Sequence, residues 1–246
     1  MVSVLAASTS LEAEQFNVLL FTKTNDYHHK SVTSAVPAVQ TLARKHHFSI
    51  DWHENPALIN AQNLEQYDVI VFMLTDGDIL NEEQKQAMKQ FVQSGKGFVG
   101  IHSASNTENN WDWYTRMVGR TFHIHPKVQT AKLSVIDRKF PGMERMPDKF
   151  LWTDEWYEFG TEHSGTLNYI LSADESTFDP VVAWEEKSGK GMGDFHPLAW
   201  YHEYDGGRAF YTALGHLDAV YNDTLFMEHV YGGLYWAATG KGISKD

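Results

Sequence analysis

The chain has 246 residues, of which 42% are hydrophobic and 13% aromatic, with a formal net charge of -12 and no cysteine. The lack of cysteine excludes disulfides, thiolate nucleophiles and Cys-ligated metals. An acidic chain without clustered Lys and Arg argues against nucleic acid or a membrane surface as a partner. No stretch approaches the roughly 18 apolar residues of a membrane span. We therefore expect a soluble protein with one sizeable core.

The N-terminal residues are small and weakly apolar. Residues 2–13, VSVLAASTSLEA, lack a basic start, which fits either the trimmed end of a secretion signal or a flexible terminus. The compartment therefore stays open between the cytoplasm and export. We predict a flexible tail over residues 1–15 and a single domain over residues 16–240.

The first half of the chain alternates strands with helices. Apolar side chains recur at helical spacing from Ser31 to Lys45. Asn81 and Gln84 form a capping pair for a helix that ends at Gly95. Such alternation predicts parallel strands with helices on both faces, because parallel neighbours need a crossover. The predicted strands occupy residues 16–22, 48–54, 67–74 and 97–102.

The second half is mostly strands, followed by a helix from about Asp218 to Ala238. The strands are rich in Val, Tyr, Trp and Phe, which favours a mixed or partly antiparallel extension of the sheet. The fold class is therefore α/β, a three-layer parallel sheet with a strand-rich mixed extension. The predicted strands cover residues 128–137, 150–159, 167–173, 180–186, 197–204 and 207–214.

Histidines follow three of the predicted strands. His28 and His29 follow the first strand, Thr75 to Asp78 follow the third, His102 follows the fourth, and His216 follows the last. Ligands of open parallel sheets bind outside the carboxyl ends of the strands. His102 occupies a turn that carries a nucleophilic Ser or Cys in many α/β enzymes. An imidazole held there predicts a ligand or general acid/base, with a turn-filling role as the alternative.

Six ordered motifs resemble the trehalose-utilisation (ThuA-like) family. They are NDYHHKSV, GFVGIHSA, WYTRMVGRTFHIHP, DEWYEF, PLAW and GRAFYTALGH, and the resemblance spans about residues 16–240. It implies the flavodoxin-like fold of class I glutamine amidotransferases and a role in disaccharide or keto-sugar catabolism. Those amidotransferases carry a cysteine at the position of His102, so this chain is not expected to be a glutaminase.

The motif match also selects among the remaining candidates. It favours His29 over the adjacent His28, and His125 over His123. Glu155 is a further candidate, because a carboxylate near imidazoles can orient a histidine, act as a base or bind a metal. The other histidines are assigned no role: His46, His47, His53, His163, His196, His202 and His229.

Three side chains are candidates for substrate binding. Tyr157 could donate a hydrogen bond to a sugar hydroxyl, and Trp200 could stack on the face of a sugar ring. Arg208 could clamp an oxyanion or pair with Glu155. Each has a structural alternative, which is core packing for the two aromatic residues and a structural ion pair for Arg208.

A divalent metal, Zn or Mn, is a further candidate, because histidines and a carboxylate without cysteine suit a catalytic ion. A metal-free histidine acid/base pair explains the same residues. The expected pool of metal ligands is His29, His102, His125 and His216.

The sequence predicts a carbohydrate-catabolism enzyme that acts on a disaccharide or keto-sugar, as a hydrolase or by isomerase/lyase-type proton transfer. The alternatives are a non-catalytic sugar-binding or sensor domain and a structural or regulatory subunit. Neutral sugars are held well by aromatic and amide groups, so a histidine cluster favours the enzyme. Expected partners are a small carbohydrate and further copies of the chain. The candidate catalytic residues, expected to line one pocket, are His29, His102, His125, Glu155 and His216.

Overall fold

The computed structural model of the protein describes residues 14–165 and 167–242. Most of the predicted N-terminal tail, residues 1–13, lies outside this part of the chain. The strands are β1 (Asn17–Phe21), β2 (Ser49–His53), β3 (Val69–Met73), β4 (Gly97–Ile101), β5 (Arg120–Ile124), β6 (Gln129–Val135), β7 (Lys149–Asp154), β8 (Glu158–Glu162), β9 (Asn168–Asp174), β10 (Val182–Ala183), β11 (Ser188–Gly189), β12 (His196–Tyr204) and β13 (Gly207–Thr212). The α-helices are α1 (Val32–His46), α2 (Ala61–Leu64), α3 (Glu82–Gln93), α4 (Asp112–Val118) and α5 (Thr224–Thr239).

A nine-stranded sheet in the order β2-β1-β3-β4-β13-β12-β9-β6-β7 runs through the molecule. The first five strands in this order are parallel. The remaining four continue the sheet in antiparallel pairs. With β13 as the fifth parallel strand, the parallel half has the 2-1-3-4-5 order of flavodoxin-like sheets. Both the parallel core and the mixed extension predicted from the sequence are confirmed.

Helices cover both faces of the parallel strands. All residues of β3 and β4 are buried, and successive side chains of a strand point to opposite faces, so neither face is open to water. α5 packs on β3, β4, β13 and α1. The approach of α5 to β4 is close enough to require glycine, since a Cβ at Gly97 would lie 2.4 Å from the carbonyl oxygen of Ala237. Within the described residues, no helix has the length and apolarity to cross a bilayer.

Capping side chains set the ends of two helices. Asn81 accepts the N–H of Gln84, and the Gln84 side chain accepts the N–H of Asn81, which confirms the predicted capping pair. The helix predicted over residues 218–238 is instead a 3₁₀ turn, Asp218–Asn222, followed by α5. Asp223 separates the two, because its carboxylate accepts the first free N–H groups of α5 and so fixes the start of the helix there.

The strand predicted over residues 150–159 is interrupted. β7 ends at Asp154, residues 155–157 have no regular structure, and β8 begins at Glu158. β8 leaves the large sheet and pairs with β5, while β10 and β11 form a separate hairpin. The strand breaks because the Asp154 carboxylate accepts backbone N–H groups from its own loop and from the loop after β13. This break releases Glu155 from the sheet.

His229 lies fully buried on α5, with its Nδ1 3.2 Å from the sulfur of Met143. Burial lowers the pKa of His229 from 6.5 to about 3. Between pH 6.5 and about 3, the unfolded chain therefore binds a proton at this residue, whereas the folded chain does not. Proton uptake by His229 in the unfolded chain leaves the folding stability unchanged above pH 6.5. Below pH 6.5 it lowers the free energy of unfolding, increasingly so as the pH falls towards 3.

We predict that His229→Phe weakens the pH dependence of unfolding. The wild-type free energy of unfolding should fall by about 1.4 kcal/mol per pH unit through His229 alone below its unfolded pKa, and the variant lacks this loss. Urea denaturation at several pH values between 7.5 and 5 measures it. His53→Gln, at an exposed histidine, is the control and should keep the wild-type slope. An unaltered slope in His229→Phe would contradict the prediction.

Candidate functional site

Four histidines and a glutamate meet at the carboxyl edge of the parallel strands. His29 follows β1, His102 follows β4, and His216 follows β13. His125 comes directly after β5, and Glu155 directly after β7. The strand order reverses between β1 and β3, and open α/β sheets bind ligands in the crevice at such a point. The topology therefore brings all five candidate catalytic residues of the sequence analysis to one place.

His102 occupies a turn with an unusual backbone. Its φ of 55° lies in the left-handed region, which few non-glycine residues adopt. The Nδ1 atom lies 2.7 Å from the carbonyl oxygen of Ala213. A carbonyl only accepts, so Nδ1 of His102 carries a proton, and Nε2 is the ring atom that faces the cluster. The Tyr157 hydroxyl lies within hydrogen-bond distance of this Nε2, at 2.8 Å.

Glu155 is a buried carboxylate shared by three imidazoles. Its Oε2 lies 3.4 Å from His102 Nε2 and 3.3 Å from His216 Nδ1. Its Oε1 lies 3.1 Å from His125 Nδ1. Burial raises the pKa of the Glu155 carboxyl, but the hydrogen bonds and charges of the histidines outweigh burial and hold this pKa well below its usual range. The site therefore contains a buried negative charge.

The histidines respond to this charge differently. Burial, with the repulsion of His102 and His216, lowers the pKa of His29 to about 2. Burial also lowers the pKa of His125, although Glu155 opposes it. For His216, burial is outweighed by the hydrogen bond and charge of Glu155, and the pKa is raised. At neutral pH, His29 and His125 are uncharged, and a proton in the cluster favours His216.

Asp154 fixes two of these residues through their backbones. Its buried carboxylate accepts the N–H groups of Glu155 at 3.0 Å, Gly215 at 2.9 Å and His216 at 3.1 Å. Gly215 has a φ of 125°, a conformation that needs glycine. Burial raises the pKa of Asp154, opposed by the charge of His102 and by the backbone N–H groups. Asp154 thereby ties the end of β7 to the turn after β13.

A cavity of about 410 Å³ opens onto the cluster, within the roughly 300–1,000 Å³ range of small-molecule sites. Tyr27, Phe122 and Trp184 supply aromatic walls. Tyr27 is 57% exposed and Trp184 41% exposed, so their rings are accessible to a ligand. Asp76 and Asn106 add polar groups, and burial raises the pKa of Asp76 to about 6.

Two residues predicted to bind substrate lie elsewhere. Trp200 is fully buried in β12 and donates its indole N–H to the carbonyl of Val118 at 2.7 Å, so it is a core residue. Arg208 stands near the start of β13, away from the carboxyl edge, and donates to the last carbonyls of α5. It cannot pair with Glu155. The substrate-binding role is therefore wrong for both residues. Burial makes Trp200 the core residue of the alternative interpretation, and Arg208 binds backbone carbonyls because it stands at the opposite end of its strand.

The structure separates each ambiguous histidine pair. His29 is buried in the cluster, whereas His28 is exposed. His125 contacts the glutamate, whereas His123 lies 3.1 Å from the carbonyl oxygen of Ser188.

The sequence analysis assigned no role to the walls of the cavity. Asp76 belongs to the segment from Thr75 to Asp78, which the strand-end rule placed at the binding edge without singling out a residue. Tyr27, Phe122 and Trp184 carried no comparable signal, because only tertiary packing brings the β10–β11 region beside β5 and the loop after β1.

Four residues of the described chain could together hold a metal ion. His29, His102, Glu155 and His216 each place one ligand atom within 4.8 Å of the others. The pool expected from the sequence contained His125 instead of Glu155. His125 contacts Oε1 of the carboxylate, whereas Oε2 is the oxygen nearest His102 and His216.

We predict that Asp154→Asn lowers the free energy of unfolding by about 1–3 kcal/mol, because the amide keeps one acceptor oxygen and its N–H₂ faces at least one of the three backbone N–H groups, which then lacks an acceptor. Urea denaturation at pH 7 measures this loss. The control is Asp148→Asn, which removes an exposed carboxylate in a surface ion pair with Arg138. It should change stability by less than about 1 kcal/mol. Equal losses in the two variants would contradict the role assigned to Asp154.

Comparison with known structures shows the same fold in other proteins. A ThuA-like protein from Bacteroides uniformis superposes with a TM-score of 0.76 at 19% identity, covering 98% of this chain and 96% of that one. A ThuA-like protein from Parabacteroides merdae superposes with a TM-score of 0.73 at 22% identity, and the match covers 94% of this chain and 92% of that one. A β-galactosidase from Bacillus circulans sp. alkalophilus superposes with a TM-score of 0.55 at 13% identity, and the match covers 91% of this chain and 31% of the enzyme.

No match was found among curated protein sequences. The family model for ThuA, described as trehalose utilisation, matches residues 17–237, from the first residue of β1 almost to the end of α5. The chain therefore belongs to the ThuA trehalose-utilisation family, and this membership implies a role in carbohydrate metabolism.

Proposed function

We propose that the protein is an enzyme of carbohydrate catabolism that acts on a disaccharide or keto-sugar by proton transfer in the cavity above the cluster. The observation that carries the proposal is the buried Glu155 carboxylate, shared by three imidazoles beside a cavity with aromatic walls. The family's link to trehalose utilisation supports the class of substrate.

The buried charge favours an enzyme over a sugar-binding domain. Moving an ion out of water costs several kcal/mol even after the protein relaxes around it. A neutral sugar needs only aromatic faces and hydrogen-bonding groups, and Tyr27, Trp184 and Asn106 already offer both. A buried carboxylate surrounded by histidines adds little to the binding of such a ligand, but it supplies groups that exchange protons.

Two groups are placed to move protons. Asp76 lines the cavity, and its pKa of about 6 lets it change protonation near neutral pH. His125 directs Nδ1 towards Glu155 Oε1 and the carbonyl oxygen of Pro126, which leaves Nε2 for a ligand. A keto group acidifies the neighbouring C–H bond. Abstraction of this proton by a base is therefore a reaction that such a site could carry out.

We predict that Asp76→Asn reduces turnover about 10²–10⁴-fold, because the amide cannot accept or donate a proton at this position. The assay uses NMR to follow the conversion of two candidate substrates, which are trehalose and a keto-sugar made by oxidising trehalose. Asp78→Asn is the matched control, since Asp78 is an exposed carboxylate on the same loop and does not line the cavity. Wild-type turnover in Asp76→Asn would exclude Asp76 as the proton-transfer group.

The same experiment separates the enzyme from its alternative. Sugar binding measured by calorimetry, without conversion by the wild-type protein, would favour a sugar-binding domain. If neither sugar binds or reacts, the proposed substrate class is wrong.

A further inference from the structure

We propose that His29, His102, Glu155 and His216 bind one divalent transition-metal ion, for which Zn²⁺ is the best match. The inference rests on the proposed function in its choice of site, because the ion would lie beside the same cavity. Its binding can nevertheless be measured without any sugar.

The distances between the ligand atoms match a tetrahedral ion. His102 Nε2, His216 Nδ1 and Glu155 Oε2 form a nearly equilateral triangle with sides of 3.3, 3.3 and 3.4 Å. Around an ion with bonds of about 2.0–2.1 Å, the ligand atoms of a regular tetrahedron lie about 3.3–3.4 Å apart. The triangle therefore has the size of one tetrahedral face. A ring nitrogen of His29 lies within 4.8 Å of the other three atoms and would become the fourth ligand by moving closer to the ion.

His102 is held in the tautomer that metal binding needs. Its Nδ1 carries the proton that is donated to the carbonyl of Ala213, so in the neutral ring the Nε2 lone pair faces the triangle. Metal-binding histidines commonly donate their other N–H to a carbonyl or carboxylate in this way. The Tyr157 hydroxyl, 2.8 Å from the same Nε2, has to release this atom when an ion binds. A proton on one of the three atoms can form a hydrogen bond to only one of the other two. A cation near the centre of the triangle can accept the lone pairs of all three atoms at once.

The surroundings favour a cation. Asp26, Asp76 and Glu155 line the cavity, and none of its described lining residues is Lys or Arg. The nearby cation of Lys187 lies over the rings of Phe122 and Trp184, at 5.1 and 4.9 Å from their centroids. Three of the four ligands are buried, so water competes poorly for the ion.

The donor set indicates which ion. Imidazole nitrogens suit Zn²⁺ and neighbouring transition metals, whereas Mg²⁺ and Ca²⁺ prefer oxygen ligands. Three imidazoles and one carboxylate therefore favour Zn²⁺ over the alkaline-earth ions.

The experiment titrates the chelator-stripped protein with Zn²⁺, Mn²⁺ or Mg²⁺ in a calorimeter and determines bound metal by mass spectrometry after gel filtration. We expect one equivalent of Zn²⁺ per chain, weaker Mn²⁺ binding and no Mg²⁺ binding. Excess Zn²⁺ at about 100 times its Kd should raise Tm by about 5 °C or more. Binding below about 0.1 equivalent for all the ions would overturn the proposal.

Single variants test the ligand set. His216→Ala and Glu155→Gln should weaken Zn²⁺ binding by more than about 100-fold, because loss of even an outer partner typically costs 10–100-fold. His28→Ala, beside the ligand His29, is the matched control and should bind like the wild type. His125→Ala should still bind one equivalent of Zn²⁺. This result distinguishes the ligand set that contains Glu155 from the set predicted from the sequence, which contains His125. Circular dichroism verifies that each variant folds.

Equal Zn²⁺ affinity in His216→Ala and His28→Ala would overturn the inference. Because these assays contain no sugar, a protein that binds Zn²⁺ but converts no sugar contradicts only the proposed function. A protein that converts a sugar and binds no metal contradicts only this inference.

Discussion

Burial of the Glu155 charge is the constraint on which the arrangement of the candidate site depends. An isolated carboxylate in the interior would take up a proton, because burial raises its pKa. Here three histidines from separate loops approach both of its oxygens and hold the pKa low instead. The loops after β4, β5 and β13 must therefore end close together. The site is a product of sheet order as much as of residue type.

Asp154 makes this arrangement possible although it faces no ligand. By accepting N–H groups from Glu155 and from the turn at residues 215–216, it joins the antiparallel extension to the parallel core. The same hydrogen bonds end β7 early and release Glu155 towards the cluster. Two adjacent carboxylates thus have different tasks, since Asp154 orders the backbone while Glu155 presents its charge to the imidazoles.

The cluster and the cavity offer complementary chemistry. Aromatic rings and Asn106 can hold a polyhydroxylated ligand, while Asp76 and the histidine cluster provide groups that exchange protons or hold a cation. His102 stands where many α/β enzymes place a nucleophile, but its Nδ1 donates to a carbonyl, and its Nε2 faces Tyr157, Glu155 and His216. Its position therefore suits coordination or hydrogen bonding better than covalent catalysis.

Local patterns in the sequence determined the parallel strands, the capping pair at Asn81 and the strand-end positions of His29, His102 and His216, because hydrophobic period and capping act over a few residues. They also indicated Glu155 and His125 through the family motifs. Only the tertiary structure placed Trp200 and Arg208 away from the site, replaced His125 by Glu155 in the metal-capable group, and supplied Tyr27 and Trp184 as walls. These outcomes depend on where a strand breaks and which distant loops meet, and non-local packing decides both.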